Sequence, residues 1–142
     1  MTLFEHALAI AVEAHRGQVD KDGKEYIRHV LRVMGAVGEG DQQIVALLHD
    51  GVEDSELTLA DLRERGFPGH IVDAVDAMTR REGEDYFDFV VRAASNPLAY
   101  GVKVEDLRDN LRKSADAGSD ERGEKYRKAL RMLGEIQATD ES

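Results

Sequence analysis

Residues 44–54 read Ile-Val-Ala-Leu-Leu-His-Asp-Gly-Val-Glu-Asp, and the fold turns on how that stretch is built. Ile44, Val45, Leu47, Leu48 and Val52 recur at helical spacing and are too densely apolar for a solvated helix, so the segment is an interior one. His49 and Asp50 stand side by side within it, and buried polar groups must be paired or metal-bound. Glu53 follows His49 at i,i+4, and Asp54 follows Asp50 at the same spacing, which gathers four polar groups at one helix end. Four such groups invite a cation. The plainer alternative is a satisfied core histidine beside a solvated acidic helix end. Against it, Val33 to Leu62 contains no Lys or Arg while Glu39, Asp41, Asp50, Glu53, Asp54, Glu56 and Asp61 accumulate. Such repulsion costs stability unless something positive offsets it.

Outward from this segment the same three-and-four spacing continues, and no stretch alternates as a strand would. Phe4, Leu8, Ala11 and His15 stripe a first helix that Gly17 ends, and Asp20-Lys21-Asp22-Gly23 is a polar turn. A second helix is expected to carry Ile27, Val30, Leu31, Met34 and Val37 inward and to end near Gly38-Glu39-Gly40. After the central segment, Thr58 with Asp61 three residues later predicts a capped short helix through Arg65, closed by Gly66 and Pro68. Ile71, Val72, Val75 and Met78 mark the next helix, and Tyr86, Phe87, Val90, Val91 and Ala94 another. Asn96-Pro97 reads as an N-cap and first-turn proline ahead of Tyr100, Val104, Leu107 and Leu111. Polar Ser114 to Gly123 is expected to be a loop, and Tyr126, Leu130, Leu133 and Ile136 define the last helix. The expectation is therefore an all-α fold, one compact helical domain of seven or eight helices over residues 1–138, with a short acidic tail at 139–142.

Composition limits the function. The chain has 142 residues, 29 Asp and Glu against 19 Lys and Arg, and a formal charge of -10, which argues against nucleic acid or an anionic membrane as the main partner. Without cysteine, thiolate catalysis and Cys-type zinc sites are excluded, leaving His, Asp and Glu as metal ligands. The opening Met-Thr-Leu-Phe-Glu-His has no basic leader, and the apolar run Ala7 to Val12 is stopped by Glu13, so a cytoplasmic location is expected. The oligomeric state is not written in these features.

Four stretches in order, Ala14 to Gln18 with Lys21 to His29, Leu47 to Ser55, Met78 to Arg80 and Val102 to Asn110, together resemble the HD-domain metal phosphohydrolases, and within them the (p)ppGpp hydrolase domain of Rel/SpoT-type alarmone enzymes and their small stand-alone relatives. Ala14-His15-Arg16-Gly17-Gln18 with Lys21-Asp22-Gly23-Lys24-Glu25-Tyr26-Ile27-Arg28-His29 is similar to that family's opening. Leu47 to Ser55 resembles its Leu-His-Asp-x-x-Glu-Asp-Thr signature, Met78-Thr79-Arg80 its Val-Thr-Lys, and Val102 to Asn110 its Val-Lys-Leu-Ala-Asp-Arg-x-x-Asn. The resemblance covers roughly the first four-fifths of the chain, and four ordered motifs carry far more weight than a lone His-Asp pair.

The resemblance implies metal ligation by His29, His49, Asp50 and Asp106; residue spacing by itself selects neither His29 nor Asp106. It also implies Mn²⁺, although two imidazoles and two carboxylates suit other divalent metals as well. Glu53 and Asp54 resemble the acidic pair that positions or deprotonates the attacking water. Lys21, Tyr26, Asn110, Arg80 and Lys103 are the candidate substrate contacts, with Asn110 on the Asp106 face of its helix. Lys24 and Arg32 read as surface, His6 and His70 as exposed, and His15 as structural.

Two positions depart from the pattern. Asp20 stands where alarmone hydrolases usually carry a basic residue, which is expected to weaken contact with an electron-rich base or phosphate. Val30 replaces a proline at a helix start, a tolerable loss. The leading function implied is a manganese-dependent guanosine-3′,5′-bis(diphosphate) 3′-pyrophosphohydrolase acting on a small nucleotide, with the length leaving no room for a synthetase. Two alternatives stand beside it: a phosphohydrolase acting on another nucleotide or an NADP-like phosphate, and a metal- or nucleotide-binding module without turnover. The Glu53-Asp54 pair argues against the last, since binding needs no water-activating group.

Overall fold

The structure, a computed structural model, describes residues 1–38 and 40–136, with only the backbone considered at Asp54. The expected boundary at 138 and the tail at 139–142 lie outside the described residues. Thr2 and Glu5 open the chain with a reciprocal capping box, from which α1 (Leu3–Ala14) runs. α2 (Tyr26–Ala36) and α3 (Asp41–Asp54) follow, the latter through the centre of the molecule. Every residue from Ile44 to Gly51 is buried, so the middle of α3 is enclosed on all sides, as its composition demands.

Thr58 and Asp61 form the predicted capping box at the start of α4 (Leu59–Glu64), and α5 (Gly69–Ala77) carries Ile71, Val72 and Val75 into the core. Asp85 caps α6 (Tyr86–Ala94). The Asn96 side chain accepts from the Leu98 and Ala99 N–H groups with Pro97 in the first turn, and α7 (Pro97–Asp116) begins there. α8 (Asp120–Met132) completes eight helices among the described residues. An isolated antiparallel bridge, Val19 to Glu25, pins the loop before α2. No helix among these is long and apolar enough to cross a membrane.

α3 packs against α1, α2, α5 and α7 around one apolar cluster. A second, smaller cluster joins α6, α7 and α8 through Val90, Val104, Leu107, Ala129 and Leu130. α7 faces both, which fixes Asp106 against α3 while its far side holds α8.

Three expectations fail. Leu31 is 37% exposed, and Val33 takes the interior position, because α2 turns its Val30–Val33 edge toward α3. Ser114 to Gly123 is mostly helix: α7 continues to Asp116, α8 starts at Asp120, and only 117–119 connect them. The Ser114 hydroxyl donates to the Leu111 carbonyl at 2.6 Å, and Ser119 caps α8, so the polar residues satisfy helix ends. Gly123 is a packing glycine: a Cβ there would lie 3.2 Å from the Arg127 guanidinium and 3.3 Å from Ser114 Oγ. α8 also stops before Leu133 and Ile136, which still pack on the second cluster.

Candidate active site

Three helices deliver four buried ligand-type side chains to one point: α2 brings His29, α3 brings His49 and Asp50, and α7 brings Asp106. Ligand atoms of His29, Asp50 and Asp106 all lie within 4.8 Å of one another. His29 Nε2 is 2.9 Å from Asp106 Oδ1 and 3.9 Å from Asp50 Oδ2. His49 Nδ1 donates to the Ala46 carbonyl at 2.8 Å, which turns Nε2 toward Asp50 Oδ2 at 3.2 Å and Asp106 Oδ1 at 3.8 Å. That buried Nε2 has no hydrogen-bond partner among the described residues. Two carboxylates facing one buried imidazole nitrogen need positive charge between them, from a proton on that nitrogen or from a bound cation.

Behind the cluster, His29 Nδ1 meets Asp109 Oδ2 at 2.6 Å. Asp109 is itself held by Arg32, at 2.8 and 3.1 Å, and by Arg112 at 2.9 Å. A carboxylate behind a ligating imidazole fixes the tautomer and aims the other nitrogen at the metal. Asp109 is absent from the residues singled out in the sequence, although its i+3 spacing from Asp106 is the signal that marks it.

Electrostatics agree with this geometry. Burial opposes charge on His29, yet hydrogen bonds to Asp106 and Asp109 raise its pKa to about 9. Burial likewise opposes charge on His49, and the Asp50 carboxylate overcomes it. Asp106 is held well below the usual carboxylate range despite burial, chiefly by the Lys103 ammonium. The cluster thus gathers positive charge onto its imidazoles when no metal does so. Two imidazole nitrogens and two carboxylates, one nitrogen lacking any other partner, fit a divalent cation.

A cleft above this floor is lined by Asp50, Asp106, Glu53, Tyr26, Arg80, Lys103 and Asn110 among others, bringing together most of the expected site residues. The Tyr26 hydroxyl donates to Asp50 Oδ2 at 2.7 Å. Glu53 Oε1 accepts the Arg80 backbone N–H at 3.0 Å. Lys103 is 4% exposed, with its ammonium 3.4 Å from Asp106 Oδ2, so its charge is directed at that carboxylate and not at the open cleft. The Asp54 side chain lies outside the described residues.

Lys21 lines an adjoining cleft of about 350 Å³, which shares Tyr26, Asn110 and Tyr126 with the first and reaches the 20s loop. That volume is within the range of small-molecule sites. Asp20 organises the loop: its Oδ1 accepts from Asp22 and Lys24 N–H groups at 2.9 and 3.0 Å, and its Oδ2 pairs with Lys113 at 3.0 Å. Lys113 on α7 therefore supplies a cation where residue 20 does not. His15 is buried, as expected, with Nδ1 2.7 Å from Gln18 Oε1. His70 is exposed and paired with Asp41, whereas His6 is half-buried against the Phe67 ring.

No family model matches the chain. Individual proteins do. It is 29% identical over 148 residues to the probable GTP pyrophosphokinase of Mycobacterium leprae, covering 96% of this chain and 19% of that protein. It is 29% identical over 121 residues to the guanosine-3′,5′-bis(diphosphate) 3′-pyrophosphohydrolase of Aquifex aeolicus, covering 77% and 17%. Among solved structures, a metazoan ortholog of SpoT described as hydrolysing ppGpp superposes with a TM-score of 0.76 at 24% identity, covering 99% of this chain and 89% of that one. The chain is thus similar in sequence to Rel/SpoT-type proteins and shares the fold of a SpoT ortholog. It spans less than a fifth of the length of the two curated relatives.

In this chain the four motifs occupy four places that converge: the start of α2, the end of α3, the turn after α5 and the middle of α7. Motifs separated by dozens of residues thereby become the walls of one cleft.

Proposed function

We propose that this domain hydrolyses the 3′-diphosphate ester of guanosine tetra- and pentaphosphate with a divalent cation, Mn²⁺, held by His29, His49, Asp50 and Asp106. The partnerless Nε2 of His49, aimed at two carboxylates, carries the proposal. When bound, the cation supplies Lewis acidity toward a phosphoryl oxygen and lowers the pKa of water.

The protein residues supply the rest. Glu53, exposed on the cleft rim and fixed through the Arg80 N–H, is the general base for water, with Asp54 as its partner. Arg80 offsets charge on the phosphates, while Lys103, expected from the sequence as a substrate contact, directs its charge to Asp106. Asn110 and Tyr26, common to both clefts, and Lys21 in the second, hold the nucleoside. Water adds across the bond between the 3′ oxygen and phosphorus, leaving a 3′-hydroxyl and pyrophosphate. The name pyrophosphokinase on some relatives describes proteins more than five times as long as the matched segment, and the His-Asp cluster is a hydrolytic constellation.

A second reading, a phosphohydrolase for another nucleotide, is favoured by one observation: Asp20 places a carboxylate in the wall of the second cleft. A product-release panel with Mn²⁺ over guanosine tetraphosphate, nucleoside phosphates and NADP separates the two. Pyrophosphate from the guanosine compound alone supports the proposal; orthophosphate from another nucleotide alone replaces it with the second reading; silence throughout leaves a binding module.

A further inference from the structure

Most arginines of this acidic chain face a carboxylate, Arg32, Arg92 and Arg122 among them. Lys125 on α8 does not. Among the described residues it makes no ion pair; its ammonium lies 4.1 Å from the centroid of the Tyr86 ring and 5.6 Å from that of Tyr126. Two more cations share the Tyr86 ring, Arg80 at 5.7 Å and Lys103 at 5.9 Å, and all three line the cleft over Asp50 and Asp106. Partial desolvation, with the like charges of Lys21, Arg80 and Lys103, holds the Lys125 ammonium below its ordinary pKa, and among the described residues no carboxylate pairs with it.

The aromatic faces explain how such a cation is kept in place. Cation–π contact anchors the ammonium over Tyr86 instead of letting it swing to bulk water. Lys103, by contrast, is buried against Asp106 and spends its charge on the ligand set. Lys125 is exposed, and so stands farther out than Lys103 in the same cleft. A substrate bringing one phosphate to the metal cluster would carry a second toward this outer cation. On the hydrolase reading above, we infer that Lys125 is a substrate-binding residue that holds the outer phosphate of a diphosphate and so favours diphosphate esters over monophosphate esters.

The test is calorimetric titration of the full chain, saturated with Mn²⁺, with inorganic pyrophosphate and separately with orthophosphate. Lys125→Ala is expected to weaken pyrophosphate by about tenfold or more, the scale of one lost charged contact, and to leave orthophosphate within about twofold. Lys125→Arg should restore most of the difference, and bound manganese should match wild type in every variant. Lys128→Ala, which removes an ammonium stacked on Phe87 one turn along α8, should bind like wild type. Unchanged pyrophosphate affinity in Lys125→Ala, equal losses for both anions, or no pyrophosphate binding by wild type would each overturn the inference. Turnover of guanosine tetraphosphate by wild type, measured in parallel, keeps the two claims apart. Absent turnover with Lys125-dependent pyrophosphate binding rejects the alarmone reading and supports the diphosphate site.

Discussion

Asp109 Oδ2 stands 2.6 Å from His29 Nδ1, on the side of the ring away from Asp50 and Asp106. The contact joins α7 to α2 and directs Nε2 into the cluster. Partners of this kind typically tune metal affinity by about 10–100-fold. Asp109→Asn should therefore weaken Mn²⁺ binding by that order while leaving the helical circular dichroism intact. Wild-type affinity in the variant would reduce Asp109 to an anchor for Arg32 and Arg112.

The ligand set and the base should separate in their effects. His49→Ala and Asp50→Asn are expected to lose both bound metal and turnover, measured by elemental analysis and product release. Glu53→Gln should keep the metal and lose about 10²–10⁴-fold in kcat. A Glu53→Gln protein with undiminished kcat removes Glu53 from the role of base.

The metal-free protein should show a pH dependence of stability with a definite sign. His29 has its folded pKa raised to about 9 from an ordinary value of 6.5. A raised pKa contributes stability that is full below 6.5 and is lost as pH rises through 9. Thermal melts of the metal-free chain should accordingly fall between pH 6.5 and 9. Saturating Mn²⁺ should flatten that dependence, because binding takes the imidazole in its neutral form. A Tm rising across the window without metal would contradict the charge state assigned to His29.

Asp20 is expected to matter to the loop before it matters to specificity. Its carboxylate accepts two backbone N–H groups and pairs with Lys113, and its pKa falls to about 2 despite the burial that opposes ionisation. Asp20→Ala should cost about 1–3 kcal/mol in chemical denaturation, the scale for losing hydrogen bonds to a charged group. Asp20→Arg should do no better, since it also brings two cations together. A stable Asp20→Arg protein with raised kcat/KM on guanosine tetraphosphate would show that residue 20 is free to face the substrate.

How far these features could be read from the sequence depends on how local they are. The Thr58–Asp61 box and the Asn96-Pro97 cap are contained within four residues, and the helices begin where they predict. The apolar spacing of residues 44–52 announces the buried α3, and the His-Asp pair within it announces a polar core. Ser114 to Gly123 misleads because its polarity reflects helix capping and close packing, which depend on a partner helix. His29 and Asp106 enter through family resemblance, since their meeting spans 77 residues and no spacing rule reaches so far. Asp109 carries a sequence signal in its i+3 spacing from Asp106, but its role behind His29 shows only once α2 is packed against α7. Lys125 stands out only once α6 and α8 bring the Tyr86 ring to it.

The most direct measurement is a titration of the metal-free chain with Mn²⁺ while pyrophosphate release from guanosine tetraphosphate is recorded. Release should rise from zero to a plateau at about one equivalent of metal in wild type, and stay at zero in His49→Ala. Turnover by the metal-free protein, or metal-dependent turnover in His49→Ala, would contradict the proposal that this cluster is the hydrolytic centre.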